Sequence, residues 1–466
     1  MADDIEGGTA FGSPTVGRAS PFTVIVGLGK TGVSMARFLA RHGEPVVVVD
    51  SRAEPPGTAA LLQAVPQAEI HPGGFDVELL RRAERVLLSP GVALSEPAVQ
   101  AAVAAGAEVI GDIELFARHA KAPVIAITGA NGKSTVTTLV GEMVRAAGRD
   151  VRVGGNLGTP ALDLLEPPGA GLFVLELSSF QLETVSSLNA CAATVLNISA
   201  DHMDRYAAIA DYAAAKRRIY RGDGVMVLNA DDPLTAAMAQ PGRRTLYFTL
   251  QEPAADAFGV RMHEGALWLA HGAERLLPVS ELRIKGSHNV ANALAALALG
   301  SAAGLPMPAM LQTLRTFPGL PHRCQWVATI DGVAYYNDSK GTNVGAASAA
   351  IAGLSETLPE TARLVLIAGG DGKGADFSAL AVAALGRLRG VVTIGRDGPR
   401  IGAVLKPVAP LVAAADMDEA VEQAVAMAQP GDAVLLSPAC ASFDMFRDYV
   451  HRGEKFSAAV QRRAGT

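Results

Sequence analysis

The stretch V-I-A-I-T-G-A-N-G-K-S-T at residues 124–135 constrains this chain more than any other. An apolar run rich in Val and Ile breaks into two glycines and then Lys133, Ser134 and Thr135. A strand–loop–helix passage of this composition suits a phosphate cradle. Glycines let backbone N–H groups approach phosphate oxygens, and the helix that follows presents its positive N-terminal end. In the common loop G-x-x-x-x-G-K-[ST] the first glycine would fall at position 127, where Ile127 stands. The loop is tighter by two residues. Lys133 is expected to reach the β/γ-phosphates of a nucleotide, with a hydroxyl of Ser134 or Thr135 facing Mg2+ and Gly129, Ala130, Asn131 and Gly132 forming the turn. The alternative is a tight turn with an incidental lysine.

The same alternation of short apolar runs and helical stretches recurs along the chain, which predicts α/β units with parallel sheets. Strands are expected at 22–26, 46–50 and 85–89, then at 124–128, 172–177, 192–197 and 224–232, and again at 364–368, 391–395 and 433–437. Helices are expected over 33–41, 134–147 and 289–303. The breaks give three α/β domains, 21–111, 112–319 and 320–466, after a mobile tail at 1–20. That tail has early acids and no apolar segment, unlike a signal peptide.

Composition narrows the function. Apolar residues make up 49% of the 466, too many for a disordered chain. The net charge of −6 and the lack of a basic stripe argue against nucleic-acid binding. Cys191, Cys324 and Cys440 lie far apart, so neither a zinc ribbon nor a disulfide scaffold is expected, and a reducing cytoplasm fits. No apolar stretch reaches the ~18–20 residues needed to span a membrane.

Several residue patterns are ambiguous read alone. Gly27-x-Gly29-x-x-Gly32 with Asp50 beyond it has the form of a dinucleotide fingerprint. Glu176 and His202 are hard-cation ligand types, yet a strand-end Glu is usually solvated and a lone His is usually structural. Asn289 and Asn292 share a helix face, which also describes a capped helix start. Lys216, in D-Y-A-A-A-K-R-R-I-Y, reads as a solvated helix lysine.

Taken in order, the motifs G-A-N-G-K-S-T, V-L-E-L-S-S-F-Q-L-E (174–183), D-H-M-D-R-Y (201–206), G-S-H-N-V-A-N-A (286–293), G-L-P-H-R (319–323), N-D-S-K-G-T-N (337–343), G-G-D-G-K (369–373) and S-P-A-C-A-S-F-D (437–444) are more specific than any one of them. Together they closely resemble the Mur ligase family, in its D-glutamate-adding branch, over about 22–460. Folylpolyglutamate synthetase is a relative.

The resemblance implies a Rossmann-like UDP-binding N-terminal domain, a central P-loop ATPase-like domain and a Rossmann-like C-terminal domain. It implies a monomeric cytoplasmic enzyme of peptidoglycan synthesis. ATP would activate the carboxylate of UDP-N-acetylmuramoyl-L-alanine as an acyl phosphate, which the amine of D-glutamate then attacks. By resemblance Glu176, His202 and Ser134 hold Mg2+, Arg323 clamps the γ-phosphate, Lys340 meets the acyl phosphate, and Asp338, Asn289 and Asn292 contact ATP. Lys30, Thr31, Asp50, Arg52, Asn156, Ser178 and Gln181 contact the UDP substrate. Thr342, Lys373, Ser442, Phe443 and Tyr449 form the glutamate pocket. Tyr449 stands where the family carries Phe, so the ring is kept and a hydroxyl is added; G-T-N at 341–343 replaces A-T-N. Lys216 matches the family lysine that reacts with CO2 to form a carbamate, a second anionic Mg2+ ligand. Carbamylation needs a neutral amine, and Arg217 and Arg218 are its nearest cations in sequence.

Three rivals remain at this point. An NAD-dependent oxidoreductase would use the 27–32 fingerprint but leaves Lys133, Arg323 and Lys340 without a task. A folylpolyglutamate synthetase lacks a UDP-binding domain, whereas residues 22–111 form a full α/β unit. A non-catalytic nucleotide-binding regulator would show no substrate-dependent ATP turnover.

Overall fold

The structure, a computed structural model, describes residues 22–464; the expected tail at 1–20 lies outside the described residues. The chain separates into two compact units, Met1–Ile110 and Gly111–Thr466.

In the first unit, parallel strands Val47–Asp50, Thr23–Val26 and Arg85–Leu88 form the centre of a five-stranded sheet. All four residues of Thr23–Val26 are buried, as expected of a central parallel strand covered on both faces. Helix Lys30–Arg41 follows the first strand directly and begins three residues before the expected start.

The second unit carries two sheets. One has nine strands, with Val124–Thr128 flanked by Phe173–Glu176 and Ala192–Val195 in parallel register: Ile127 lies beside Glu176, and Thr128 beside Val195. Parallel strands end on the same edge of a sheet. The loop after Thr128, the Glu176 side chain and Asn197 are thereby delivered to one place. Helices Lys133–Ala146 and Ser287–Ala302 cover this sheet through Leu139, Val140, Met143, Leu294, Leu297 and Ala298, all fully buried. Each large apolar side chain so buried stabilises the fold by about 1.5–3 kcal/mol, which fixes the helix whose first turn is the phosphate loop.

The six-stranded sheet uses the same device. Val333–Asn337, Ala433–Leu436 and Leu364–Gly369 run parallel, with Asn337 and Ile367 both beside Leu436. Asp338, Ser437 and Gly370 therefore emerge on a common edge.

The fold is three α/β domains with mostly parallel sheets, as expected, with two antiparallel additions that the alternation did not reveal. Strands Ala257–His263, Ala266–His271 and Glu274–Pro278 extend the nine-stranded sheet. Gln325–Ile330 pairs antiparallel with Val333–Asn337. No described helix is long and apolar enough to cross a membrane.

Candidate active site

The tight loop is held by its neighbours. Gly129 and Gly132 adopt φ of 153° and 82°, conformations that side chains rarely take. A Cβ on Gly132 would also lie 2.5 Å from Asn292 Oδ1. Asn197, just past its strand, accepts the Asn131 N–H at 2.8 Å and donates to the Asn131 carbonyl at 3.1 Å; its own carbonyl accepts the Ala130 N–H. Lys133 turns back to donate to the carbonyls of Gly129 and Ala130, each at 2.8 Å. Arg323, from the start of the third domain, donates to Ser134 Oγ at 2.7 Å.

Lys216 does not face solvent. It is 1% exposed, and its ammonium donates to Gly129 O at 2.9 Å and Thr128 Oγ1 at 3.2 Å, with the Tyr212 ring 4.5 Å away. It makes no ion pair among the described residues. Burial, with Lys133 adding to it, drives its pKa well below that of an ordinary lysine. Arg218 instead donates to the Val185 carbonyl. The cation that depresses Lys216 is thus Lys133, remote in sequence.

Two carboxylates, Glu176 and Asp201, act on both lysines and favour their charged forms. Glu176 is 3% exposed. Its Oε1 accepts from Asn156 at 2.7 Å, while its Oε2 is buried with no hydrogen-bond partner. Asp201 accepts from Asn343, which also donates to Asn131 Oδ1, and lies 3.7 Å from Lys373 Nζ. Burial pushes the Asp201 carboxyl up, but His202, Lys373 and Lys133 outweigh it and hold it below its usual value. His202 has a φ of 56° and meets the Phe180 ring edge-on at 4.7 Å; burial lowers its pKa. Among the described residues no three His, Cys, Asp or Glu side chains cluster to hold a metal by themselves.

Beside the loop opens a cavity of about 340 Å3. Its lining includes Asn131, Gly132 and Thr135 of the loop region, Asn289 and Asn292, the apolar Phe248, Ile284 and Leu320, and the polar Arg323, Asp338 and Lys340. Asn292 donates to Asn289 Oδ1 at 3.1 Å, so the two share a face as expected. Asp338 Oδ2 accepts from Ser437 at 2.7 Å; burial pushes its carboxyl up to about 6. Lys340 stands over the Tyr449 ring at 3.7 Å, and burial, assisted by Arg323, lowers it to about 8.

Ser442 is buried and opens a turn closed by the Phe446 N–H. Its loop joins the Lys373 loop through paired Asp371–Ala441 backbone hydrogen bonds. Thr342 is half-buried, and Phe443 is 74% exposed. Arg452, which the sequence reading passed over, is fully buried and fastens these loops by donating to the Ser339, Cys440 and Ala441 carbonyls. Asn197, Asp201 and Asn343 were also missed as site residues, although Asp201 and Asn343 sit inside motifs that were singled out.

Ser178 and Gln181 form a capping box, and Gln181 donates to the buried Asp112 at 2.9 Å. In the first unit, Lys30 is exposed and Thr31 half-buried at the start of helix Lys30–Arg41. Asp50 there accepts the Leu28 N–H at 2.6 Å, the Arg52 N–H at 2.9 Å and two guanidinium hydrogen bonds from Arg52 at 2.8 and 2.6 Å. Four donors occupy the carboxylate, and those from Arg52 and Leu28 hold its pKa at about 2. That leaves little acceptor capacity for the ribose hydroxyls an NAD-binding acid would take.

The comparisons with known proteins agree with this geometry. Residues 22–111 match the MurD-like N-terminal domain of Mur ligases, 127–300 the Mur ligase middle domain, and 322–440 the Mur ligase glutamate ligase domain. A UDP-N-acetylmuramoylalanine–D-glutamate ligase of Nitrosococcus oceani is 58% identical over 439 residues, covering 94% of this chain and 96% of that protein. One from Pseudomonas aeruginosa is 54% identical over 443 residues, covering 95% and 98%. Among solved structures, UDP-N-acetylmuramate-alanine ligase from Thermotoga maritima superposes with a TM-score of 0.60 at 21% identity, covering 95% of this chain and 99% of that one. Matches to all three domain types, and relatives more than half identical over nearly the full length, establish that the chain belongs to the Mur ligase family.

Proposed function

We propose that this chain is the ATP-dependent ligase that joins D-glutamate to UDP-N-acetylmuramoyl-L-alanine in peptidoglycan synthesis. The observation that carries this reading is the gathering of Lys133, Arg323 and Lys340 around the phosphate loop, near Glu176 and Asp201. Bringing a carboxylate onto a triphosphate joins two anions, and converging cations lower that barrier.

The substrate carboxylate attacks the γ-phosphorus and ADP leaves, giving an acyl phosphate. The amine of D-glutamate then attacks the carbonyl carbon. The C–N bond forms, the C–O bond to phosphate breaks, and the amine gives up a proton. Lys133 and Arg323 neutralise charge on the transferring group, and Lys340 on the acyl phosphate. Asn289 and Asn292 face the nucleotide base, and Asp338 lies on the ribose side. Lys373, Ser442 and Thr342 receive the glutamate carboxylates beside Phe443 and Tyr449. In the first unit, Lys30, Thr31, Asp50 and Arg52 serve the UDP moiety.

Glu176 Oε2, buried without a partner, fits a hard cation. Few protein ligands completed by phosphate oxygens is the pattern of Mg2+, which would supply charge neutralisation at the phosphates. Ser134 and His202 would complete the protein side. Lys216, its pKa lowered by burial and by Lys133, is suited to react with CO2 as the neutral amine: an N–C bond forms and a proton is released. The resulting carbamate places an anion where the unmodified amine offers none. Carbon-13 NMR of enzyme equilibrated with labelled bicarbonate tests this apart from turnover. A carbamate resonance absent from Lys216→Ala is expected, and its absence from the wild type would refute the modification.

The protein acts in the cytoplasm, where ATP and UDP-sugars are found, and as a monomer, which light scattering would check. The activity is tested by phosphate release with each nucleotide sugar and each glutamate enantiomer. Release requiring UDP-N-acetylmuramoyl-L-alanine and D-glutamate together is expected. Release that is indifferent to the amino acid would reject the assignment.

A further inference from the structure

The helix Ser287–Ala302 brings Asn289 and Asn292 to the cavity beside the phosphate loop. Its first turn is met by the end of helix Val344–Ser355 from the third domain. Ser287 donates from its backbone N–H and its Oγ to the Glu356 carboxylate at 3.3 and 3.2 Å. A carboxylate on a helix N-terminus is favourable, and this one is supplied across the domain boundary.

One residue on, His288 is wedged between two glycines. A Cβ on Gly353 would fall 2.5 Å from its Nδ1, and a Cβ on Gly286 3.1 Å from the same atom. Gly286 has a φ of 93°, so glycine is favoured there on two grounds. Nδ1 is buried and has no hydrogen-bond partner among the described residues. The same residue lines the cavity of Asn289, Asn292 and Arg323. His288 therefore touches the third domain on one side and the cavity on the other.

We propose that His288 is a positioning residue that seats the first turn of its helix against Gly353, so that docking of the third domain and alignment of Asn289 and Asn292 for the nucleotide base occur together. The proposal rests on the reading of this cavity as the nucleotide site. A methyl group added at Gly353 has the imidazole in its way and displaces it toward the cavity.

The test is ADP affinity, by calorimetry on the full chain, for Gly353→Ala, His288→Ala and the double variant. Gly353→Ala is expected to weaken ADP about fivefold and His288→Ala by a similar factor, while the double variant binds no more weakly than His288→Ala, because the ring the methyl displaced is gone. Effects that multiply in the double variant, or a Gly353→Ala protein with wild-type affinity, overturn the proposal. If Gly353→Ala does not fold, His288→Ala with Glu356→Gln carries the same cycle, non-additive loss supporting the proposal and independent losses opposing it. Asn292→Ala is the control: unchanged ADP affinity there would mean that the nucleotide reading of the cavity has failed, not the positioning role alone.

Discussion

Lys133 and Lys216 meet at one atom: both donate to the Gly129 carbonyl, at 2.8 and 2.9 Å. Two ammonium groups on one acceptor repel each other, and Lys216 is the more deeply buried. Burial lowers the pKa of both, and that of Lys216 well below an ordinary lysine's, so Lys216 is the one suited to be the neutral amine and Lys133 the one suited to be the cation for phosphate. Lys133→Ala is expected to fold normally and to lose ligation. Near-normal turnover in that variant would remove the phosphate-loop assignment.

Lys216 carries a stability prediction of its own. Its folded pKa lies below the unfolded one, so the unfolded state binds more protons between the two values, and stability rises with pH across that window. Lys216→Met lacks this term. It should melt higher than an unmodified wild type at pH 7, and the difference should shrink toward pH 9. Lys216→Ala should lose most activity, and a small added carboxylate should restore part of it. Melting curves with a pH-independent difference would contradict the buried-amine account.

Glu176→Gln separates binding of a cation from folding. The buried, unpartnered Oε2 has lost its hydration without gaining a protein hydrogen bond, so the amide should leave the melting temperature equal or higher. Turnover should fall by about 10²–10³-fold, the scale of one lost charge-stabilising group. Chelation of Mg2+ should abolish turnover in the wild type. A variant that unfolds, or one that works normally, would count against a metal role.

Much of this was legible in the sequence. The tight loop, the strand it follows and the strand ending in Glu176 were read from short apolar runs, because a buried parallel strand leaves a continuous apolar signature. The antiparallel hairpins were missed although their turns were written plainly. Asp331-Gly332 and Glu264-Gly265 all have positive φ, and Asp-Gly between two runs is a usual two-residue hairpin signal, which Glu-Gly imitates here. Asn197 and Arg452 were harder to find. Their importance lies in bonds to backbone carbonyls and N–H groups far along the chain, which no local pattern announces. Ser178 and Gln181 show the opposite: a motif that reads as substrate-binding is also a capping box.

Lys340 and Tyr449 predict a pH effect. Burial lowers Lys340 to about 8, and the ring at 3.7 Å favours its charged form. If the ammonium is required, kcat/KM should fall as pH rises through about 8. Tyr449→Phe keeps the ring and should change rates only a few-fold, on the order of 1 kcal/mol. Tyr449→Leu removes the ring and should move the alkaline limb to lower pH. An unmoved limb would disconnect Lys340 from the profile.

Asp112 offers a test of stability alone. Burial raises its carboxyl to about 6, against which the Gln181 hydrogen bond works. A folded pKa above the unfolded one contributes stability that is fully present below pH ~4 and lost as pH rises through ~6. Asp112→Asn should therefore be more stable than wild type at pH 7.5, on the order of 2 kcal/mol, with the gap closing near pH 4.5. Denaturant midpoints at the two pH values check the sign.

The central claim is that ATP activates a substrate carboxylate before the amide forms. Its most direct test is oxygen tracing. UDP-N-acetylmuramoyl-L-alanine labelled with oxygen-18 in its free carboxylate is turned over with D-glutamate and ATP, and the released phosphate is analysed by mass spectrometry. One labelled oxygen should appear in each inorganic phosphate, carried across when the acyl phosphate breaks. Unlabelled phosphate with all label retained in the nucleotide product would contradict the account.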